Sequence, residues 1–340
     1  MAGAAGGGGR GCVTLRGSQF RDLLDAKHNV LFDCDGVIWN GETAVTGAPE
    51  VVSLLKQRGK RVFFVTNNCT RPRESYVQKF SRLGFTDVAE EEIFSSAYCS
   101  AAYLRDVAKV QGKVYVIGCS GVVRELQDAG VHVVEEVGDD EPGTNISNCP
   151  LDPDVKAVLV GYDENFTFMK LAKACCYLKN SECLFLATDP DPWHPLRGGR
   201  ITPEIRRSSI QQCSVRQRCF LFKRGQLSIS LQVLGSLTAA LETASSRKAT
   251  VIGKPGRFMF ECIASQFDLD PARSLMVGDR LETDILFGSN CGLSTMLTLT
   301  GVSTMEEAQK YKDSESPEHK GCVPDYVVES IADFLEALEE

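Results

Sequence analysis

Short, almost uninterrupted apolar runs recur along this chain, and they restrict its fold more than any other feature. They lie at 29–35, 61–67, 113–119, 155–163, 183–189, 249–255, 274–280 and 294–301, separated by stretches long enough for helices. A strand that is apolar on successive residues must be buried on both faces, which is the condition inside a parallel sheet covered by crossover helices. The intervening APEVVSLLKQRGK and RFMFECIASQFDL place apolar residues three and four apart with polar residues between, as helices packed on such a sheet do. The fold class is therefore expected to be α/β. At 340 residues the chain exceeds what one hydrophobic core usually organises, so two domains are expected.

Several classes of protein are disfavoured. No apolar run approaches the roughly 18–20 residues of a membrane helix, and a net charge of −8 argues against general affinity for nucleic acid or anionic lipid. The opening MAGAAGGGGRGC has neither the apolar stretch of a secretory signal nor Gly at position two for myristoylation, so 1–19 reads as a flexible leader. Fourteen cysteines are scattered through apolar runs with no C-x-x-C spacing, and the four histidines (His28, His132, His194, His319) are not paired at ligand spacing. Reduced thiols in a cytosolic protein are expected, without a zinc site.

A domain boundary is expected near 108, where VAKVQGK precedes a new strand, and 137–153 reads as an exposed acidic connection. Residues 204–234 differ in kind. Arg206, Arg207, Arg216, Arg218, Lys223 and Arg224 face only Glu204 in an otherwise acidic chain, without sustained periodicity. This segment reads as an unstructured insertion.

Four polar motifs each stand where an apolar run ends, the place where ligands bind on an open α/β sheet. Asp33 and Asp35, in DCDGV, are two carboxylates leaving one strand; they repel unless a cation is present, and Mg²⁺ is the hard cation that suits carboxylates and substrate oxygens. One can attack phosphorus while the other passes a proton to the leaving oxygen. Thr66, Asn67 and Asn68 offer a hydroxyl and backbone N–H groups to phosphoryl oxygens. Lys254, in GKP, can neutralise both the nucleophile and the phosphoryl group. GDRLETD supplies Asp279 and Asp284 for the metal and for orienting the lysine.

With DCDGV, VTNN, GKP and GDRLETD in this order, the chain resembles the haloacid dehalogenase superfamily of phosphatases. FDCDGVIWNGETAV, LVGYDENF, ATDPDPWHPL, TAALETAS, GDRLETDILFG and LTLTGVS extend the likeness to its pyridoxal phosphate phosphatases, with phosphoglycolate phosphatases next. The resemblance implies a Rossmann-like core, 20–108 and 250–340, interrupted by an α/β cap over 109–249 that contains the insertion. It implies Asp33 as nucleophile, Asp35 as general acid and base, and Thr66, Asn67 and Lys254 as phosphoryl ligands. Mg²⁺ would be held by the Asp33 carboxylate, the Asp35 backbone carbonyl and Asp279, with Asp284 in support. Asn68, Tyr162, Glu164 and His194 become candidates for contacting the substrate, although Tyr162 also reads as a core-edge tyrosine and His194 as a turn residue between Trp193 and Pro195. A homodimer through the cap is implied as well. Pyridoxal 5′-phosphate is the expected substrate. Phosphoserine on cofilin, phosphoglycolate or glycerol phosphate, and a form silenced by the insertion stand as alternatives.

Overall fold

The computed structural model describes residues 11–134, 147, 149–191 and 236–339. Most of the connection at 137–153, the insertion at 204–234, Trp193 and His194 lie outside the described residues. Among the described residues two parallel sheets form. The larger has seven strands in the order Val13–Thr14, Tyr326–Val328, Ser294–Thr298, Ser274–Gly278, Asn29–Phe32, Arg61–Thr66 and Ile93–Ser95. The smaller has five, in the order Thr250–Val251, Leu184–Ala187, Val155–Val160, Lys113–Ile117 and His132–Val133. Every pairing in both is parallel, so the chain is α/β as expected. All eight apolar runs contain a strand.

Strand alternation divides the apolar residues between faces. Val30, Phe32 and Phe64 face one cluster, closed by Phe20 and Leu24 of the helix Gly17–Ala26, Val51 and Leu55 of Ala48–Gln57, Tyr76 and Phe80 of Arg73–Arg82, and Phe334 of Asp333–Glu339. Leu31, Phe63 and Val65 face the opposite way. They share a second cluster with Ala97 and Ala101 of the helix Ser96–Ala102 and Met259 and Ile263 of Phe258–Phe267, which runs on without a break into Val114, Val116, Leu159 and Leu186 of the smaller sheet. One apolar layer thus ties the two sheets together. The far face of the smaller sheet buries Tyr115, Ile117, Val158 and Phe185 against Ala174, Leu178 and Leu241 from the helices Phe168–Leu178 and Ser236–Ser245.

Two boundaries fall differently from the sequence reading. The larger sheet starts inside the stretch read as a leader, because Val13–Thr14 pairs with Tyr326–Val327 and the first helix begins at Gly17. Thr250–Val251, expected to open the second half of the larger unit, pairs with Leu186–Ala187 of the smaller sheet. The apolar run 249–255 serves both units in turn: its first residues extend one sheet, Ile252 enters the shared apolar layer, and Lys254 continues beyond it. All twelve cysteines among the described residues are free, and no described helix is long and apolar enough to cross a membrane.

Phe334 is fully buried, with its ring centroid 4.7 Å from Phe20 and 6.0 Å from Phe32. Phe334→Ala leaves a cavity between the last helix and the larger sheet and is expected to cost about 3–5 kcal/mol. Urea unfolding checks this; a loss under about 1 kcal/mol would mean that the helix does not seal this core.

Candidate active site

Parallel strands present their carboxyl ends on one side, and here both sheets deliver residues to one cavity of about 390 Å³. Asp33 follows Asn29–Phe32, Thr66 ends Arg61–Thr66, and Asp279 follows Ser274–Gly278, so three adjacent strands of the larger sheet contribute. From the smaller sheet come Asp191, after Leu184–Ala187, and Lys254, after Thr250–Val251. The cavity gathers Asp33, Asp35, Thr66, Asn67, Asn68, Lys254, Asp279 and Asp284 from the residues singled out in the sequence.

Lys254 is the centre of this arrangement. Only 1% exposed, its ammonium donates to Asp33 Oδ1 at 2.5 Å, Asp284 Oδ1 at 2.6 Å and the Val65 carbonyl at 2.8 Å. Burial alone would lower its pKa, yet the carboxylates of Asp284 and Asp33 more than reverse this and hold it raised. Asp284 in turn accepts through Oδ2 from the backbone N–H groups of Asp279 and Arg280, at 3.2 and 3.0 Å. The π-helical turn Leu281–Ile285 brings its side chain back to the end of its own strand.

One ammonium does not satisfy three carboxylates. Asp33, Asp279 and Asp284 offer oxygens that lie within 4.8 Å of one another, all buried. Burial pushes the Asp33 carboxyl well above the usual range; Lys254 opposes this, while Asp284 and Asp279 push it further up. Burial, with Asp284 beside it, pushes Asp279 up to about 7. A compact set of oxygen donors short of positive charge fits a hard divalent cation such as Mg²⁺. Close backbone approach holds the set in place: Val302 N–H donates to Asp279 Oδ2 at 2.7 Å, and a Cβ added at Gly36 (φ +91°) or Gly301 would meet that oxygen at 2.5 or 1.9 Å.

Asp35 is held differently. The Trp39 indole N–H donates to Oδ1 at 2.9 Å and the Asn68 amide donates to Oδ2 at 3.1 Å. Trp39 is fully buried, stacked on Tyr76 at 6.2 Å, edge-on to Phe80 at 4.8 Å, and covered by the Lys79 ammonium 3.9 Å from its ring centroid. Asn68, expected to contact substrate, lines the cavity but spends its amide N–H on Asp35 and its Oδ1 on Thr70. Thr66 Oγ1 accepts from Asn68 N–H at 3.1 Å, leaving its own O–H to donate. Asn67 brackets the Lys254 backbone, accepting its N–H at 2.8 Å and donating to its carbonyl at 2.9 Å.

Tyr162 and Glu164 are hydrogen-bonded to each other at 3.1 Å and do not line this cavity. His194 lies outside the described residues. Sequence reasoning did not single out Trp39, Asp191, Arg280 or the 300–302 loop. For the last three a signal existed, since Asp191 stands inside ATDPDPWHPL, Arg280 inside GDRLETD, and Thr300–Val302 at the end of the apolar run 294–301.

Comparison with known proteins agrees with this geometry. Residues 30–132 match the model of haloacid dehalogenase-like hydrolases and residues 251–334 match a second, HAD-hydrolase-like model. The chain is 47% identical to chronophin of Homo sapiens over 333 residues, covering 97% of this chain and 99% of that protein. It is 43% identical to glycerol-3-phosphate phosphatase of Gallus gallus over 337 residues, covering 98% and 99%. Among solved structures, p-nitrophenyl phosphatase from Archaeoglobus fulgidus superposes with a TM-score of 0.69 at 27% identity, covering 92% of this chain and 99% of that one. The chain belongs to the haloacid dehalogenase-like hydrolases. Within that family it is a phosphatase.

The raised Asp279 carboxyl gives a signed pH dependence. The metal-free fold binds a proton that the unfolded chain, with an ordinary carboxyl near 3.8, has already released, so this contribution to stability is full below about pH 4 and is lost as pH rises through about 7. Mg²⁺ added to EDTA-treated protein should therefore raise the melting temperature more at about pH 8 than at about pH 6. In Asp279→Asn the pH dependence of that increment should weaken, with Asp33 still titrating; an unchanged dependence would exclude Asp279 from the site.

Proposed function

We propose that this phosphatase hydrolyses pyridoxal 5′-phosphate and related small phosphomonoesters through an aspartyl-phosphate on Asp33, with Mg²⁺ bound. The observation that carries the reading is the pairing of two carboxylates of unlike surroundings at one strand end. Asp33 is gripped by an ammonium, and Asp35 is held by two neutral donors. Lys254 fixes one Asp33 oxygen and leaves the carboxylate to attack phosphorus in line with the departing alkoxide. Lys254 and the Thr66 hydroxyl stabilise the non-bridging phosphoryl oxygens as charge shifts onto them. Asp35 gives its proton to the leaving oxygen and then takes one from the water that cleaves the aspartyl-phosphate, the same group serving as acid and base. Mg²⁺, held by the Asp33 carboxylate, the Asp35 backbone carbonyl and Asp279 with Asp284 in support, would supply the positive charge the carboxylates lack.

The near full-length likeness to chronophin and the DPWHPL segment support pyridoxal 5′-phosphate. The likeness to glycerol-3-phosphate phosphatase keeps small aliphatic phosphates as the second reading. Tyr162, Glu164 and His194 remain proposed substrate contacts, since all belong to segments that carry the resemblance. A homodimer through the smaller-sheet unit is proposed on the same ground, supported by Phe168 standing 76% exposed on that unit.

Phosphate release from pyridoxal 5′-phosphate, phosphoglycolate and glycerol 3-phosphate, with Mg²⁺ and with EDTA, tests the substrate. Pyridoxal 5′-phosphate is expected to have the highest kcat/KM and EDTA to abolish turnover; a preference for either aliphatic ester would move the assignment to that class. Asp33→Asn should show no turnover, because an amide does not attack phosphorus. Asp35→Asn should retain Mg²⁺ binding and lose about 10²–10⁴-fold in kcat. A version with 204–234 replaced by Gly-Thr separates silencing from mis-assignment: activity in the shortened chain alone would mean that the insertion silences an intact site.

A further inference from the structure

The smaller sheet reaches the site through one carboxylate outside the four motifs. After the strand Leu184–Ala187 the chain turns through Thr188–Asp191, held by Thr188 Oγ1 donating to Asp189 Oδ2 at 2.8 Å and by Asp191 N–H donating to Asp189 Oδ1 at 3.1 Å. This turn puts both oxygens of Asp191 onto the larger unit. Arg280 Nη1 donates to Oδ1 at 3.0 Å, and Asn67 Nδ2 donates to Oδ2 at 3.2 Å. The Arg280 and Asp191 side chains are 12% and 8% exposed, so the ion pair is shielded from solvent.

Asn67 is the same residue that brackets Lys254. Its Nδ2 serves the Lys254 carbonyl and Asp191, while its Oδ1 takes the Lys254 N–H. A carboxylate only accepts, so Asp191 demands that the Asn67 amide turn its NH₂ toward it and its oxygen toward Lys254. The backbone there admits no slack: a Cβ at Gly253 would meet the Thr188 carbonyl oxygen at 2.4 Å and Asn67 Oδ1 at 2.6 Å. The connection therefore runs Asp191, Asn67, Lys254 backbone, Lys254 ammonium, Asp33.

We infer that Asp191 is a positioning residue: acting through Asn67, it fixes the Lys254 backbone and so the grip on Asp33, making the smaller-sheet unit part of the catalytic scaffold. This rests on the phosphatase mechanism above. It adds that the unit governs turnover of every ester and not only the choice among them. Arg280 completes the link by tying Asp191 to the loop that carries Asp279.

The test is a double-mutant cycle on Asp191→Ala and Asn67→Ala, assayed with p-nitrophenyl phosphate and pyridoxal 5′-phosphate, together with hydrogen exchange at the Lys254 backbone N–H. Asp191→Ala is expected to lower kcat about 10- to 100-fold on both esters with KM changed less than about 3-fold. Asp191→Asn, which keeps a carbonyl acceptor, should fall between Asp191→Ala and the unaltered protein, and it preserves the test should the alanine variant fold poorly. The double variant should be no slower than Asn67→Ala, within about 2-fold. Lys254 N–H protection should fall at least about 10-fold in Asp191→Ala. Effects that multiply in the double variant, unchanged protection, or a change confined to KM on one ester would overturn the inference. If neither the unaltered protein nor the version with 204–234 replaced by Gly-Thr hydrolyses any ester, the phosphatase reading fails, and the exchange measurement still decides whether Asp191 holds Lys254.

Discussion

One buried ammonium holds the site together. Lys254 sits between Asp33 and Asp284 with about 1% of its surface exposed, and neither carboxylate has another cation of this chain at bonding distance among the described residues. Removing a buried ammonium from two buried carboxylates leaves uncompensated charge, which is far costlier than losing a surface pair. In the proposed mechanism the same ammonium organises the chemistry, since it holds one oxygen of Asp33 and would meet the phosphoryl oxygens. Lys254 still does not balance its surroundings: with Asp279 added, three carboxylates face one ammonium, and burial raises Asp33 and Asp279. The imbalance that makes Lys254 indispensable to this cluster is also what would draw in the proposed divalent cation.

The position of Lys254 is a consequence of the topology. Its run begins as a strand of the smaller sheet, passes through the shared apolar layer at Ile252, and ends among residues of the larger sheet. A side chain carried across that junction is fixed by both units at once. Asn67 and Asp191 make the same junction through hydrogen bonds. The smaller sheet is joined to the residues of the candidate site by a packed apolar layer on one side and by a polar chain at the strand ends.

The parts legible in the sequence are those that depend on periodicity and on a polar residue ending an apolar strand. All eight apolar runs hold strands because burial on both faces leaves a continuous apolar signature. Asp33, Thr66, Lys254 and Asp279 stood out because each breaks such a run. Strands of two or three residues, such as Val13–Thr14, His132–Val133 and Tyr326–Val328, are too short to carry a period and owe their pairing to neighbours distant in sequence. Roles set by hydrogen-bond partners were equally hidden. That the Asn68 amide donates to Asp35 was not legible in the sequence, nor was any role for Trp39, present only inside FDCDGVIWNGETAV, whose indole N–H holds the same carboxylate. Tyr162 and Glu164 were singled out as substrate contacts by resemblance; that their side chains bond to one another, apart from the cavity lining, was not legible in the sequence.

The central claim is that Asp33, one of the two carboxylates held by Lys254, is the nucleophile. Rapid quenching during turnover of pyridoxal 5′-phosphate, followed by borohydride reduction and peptide mapping, reads it directly, because reduction converts a phosphorylated aspartate into homoserine. Homoserine at position 33 alone is the expected result. Homoserine at Asp35, Asp279 or Asp284, or turnover with no trapped aspartate, would contradict it.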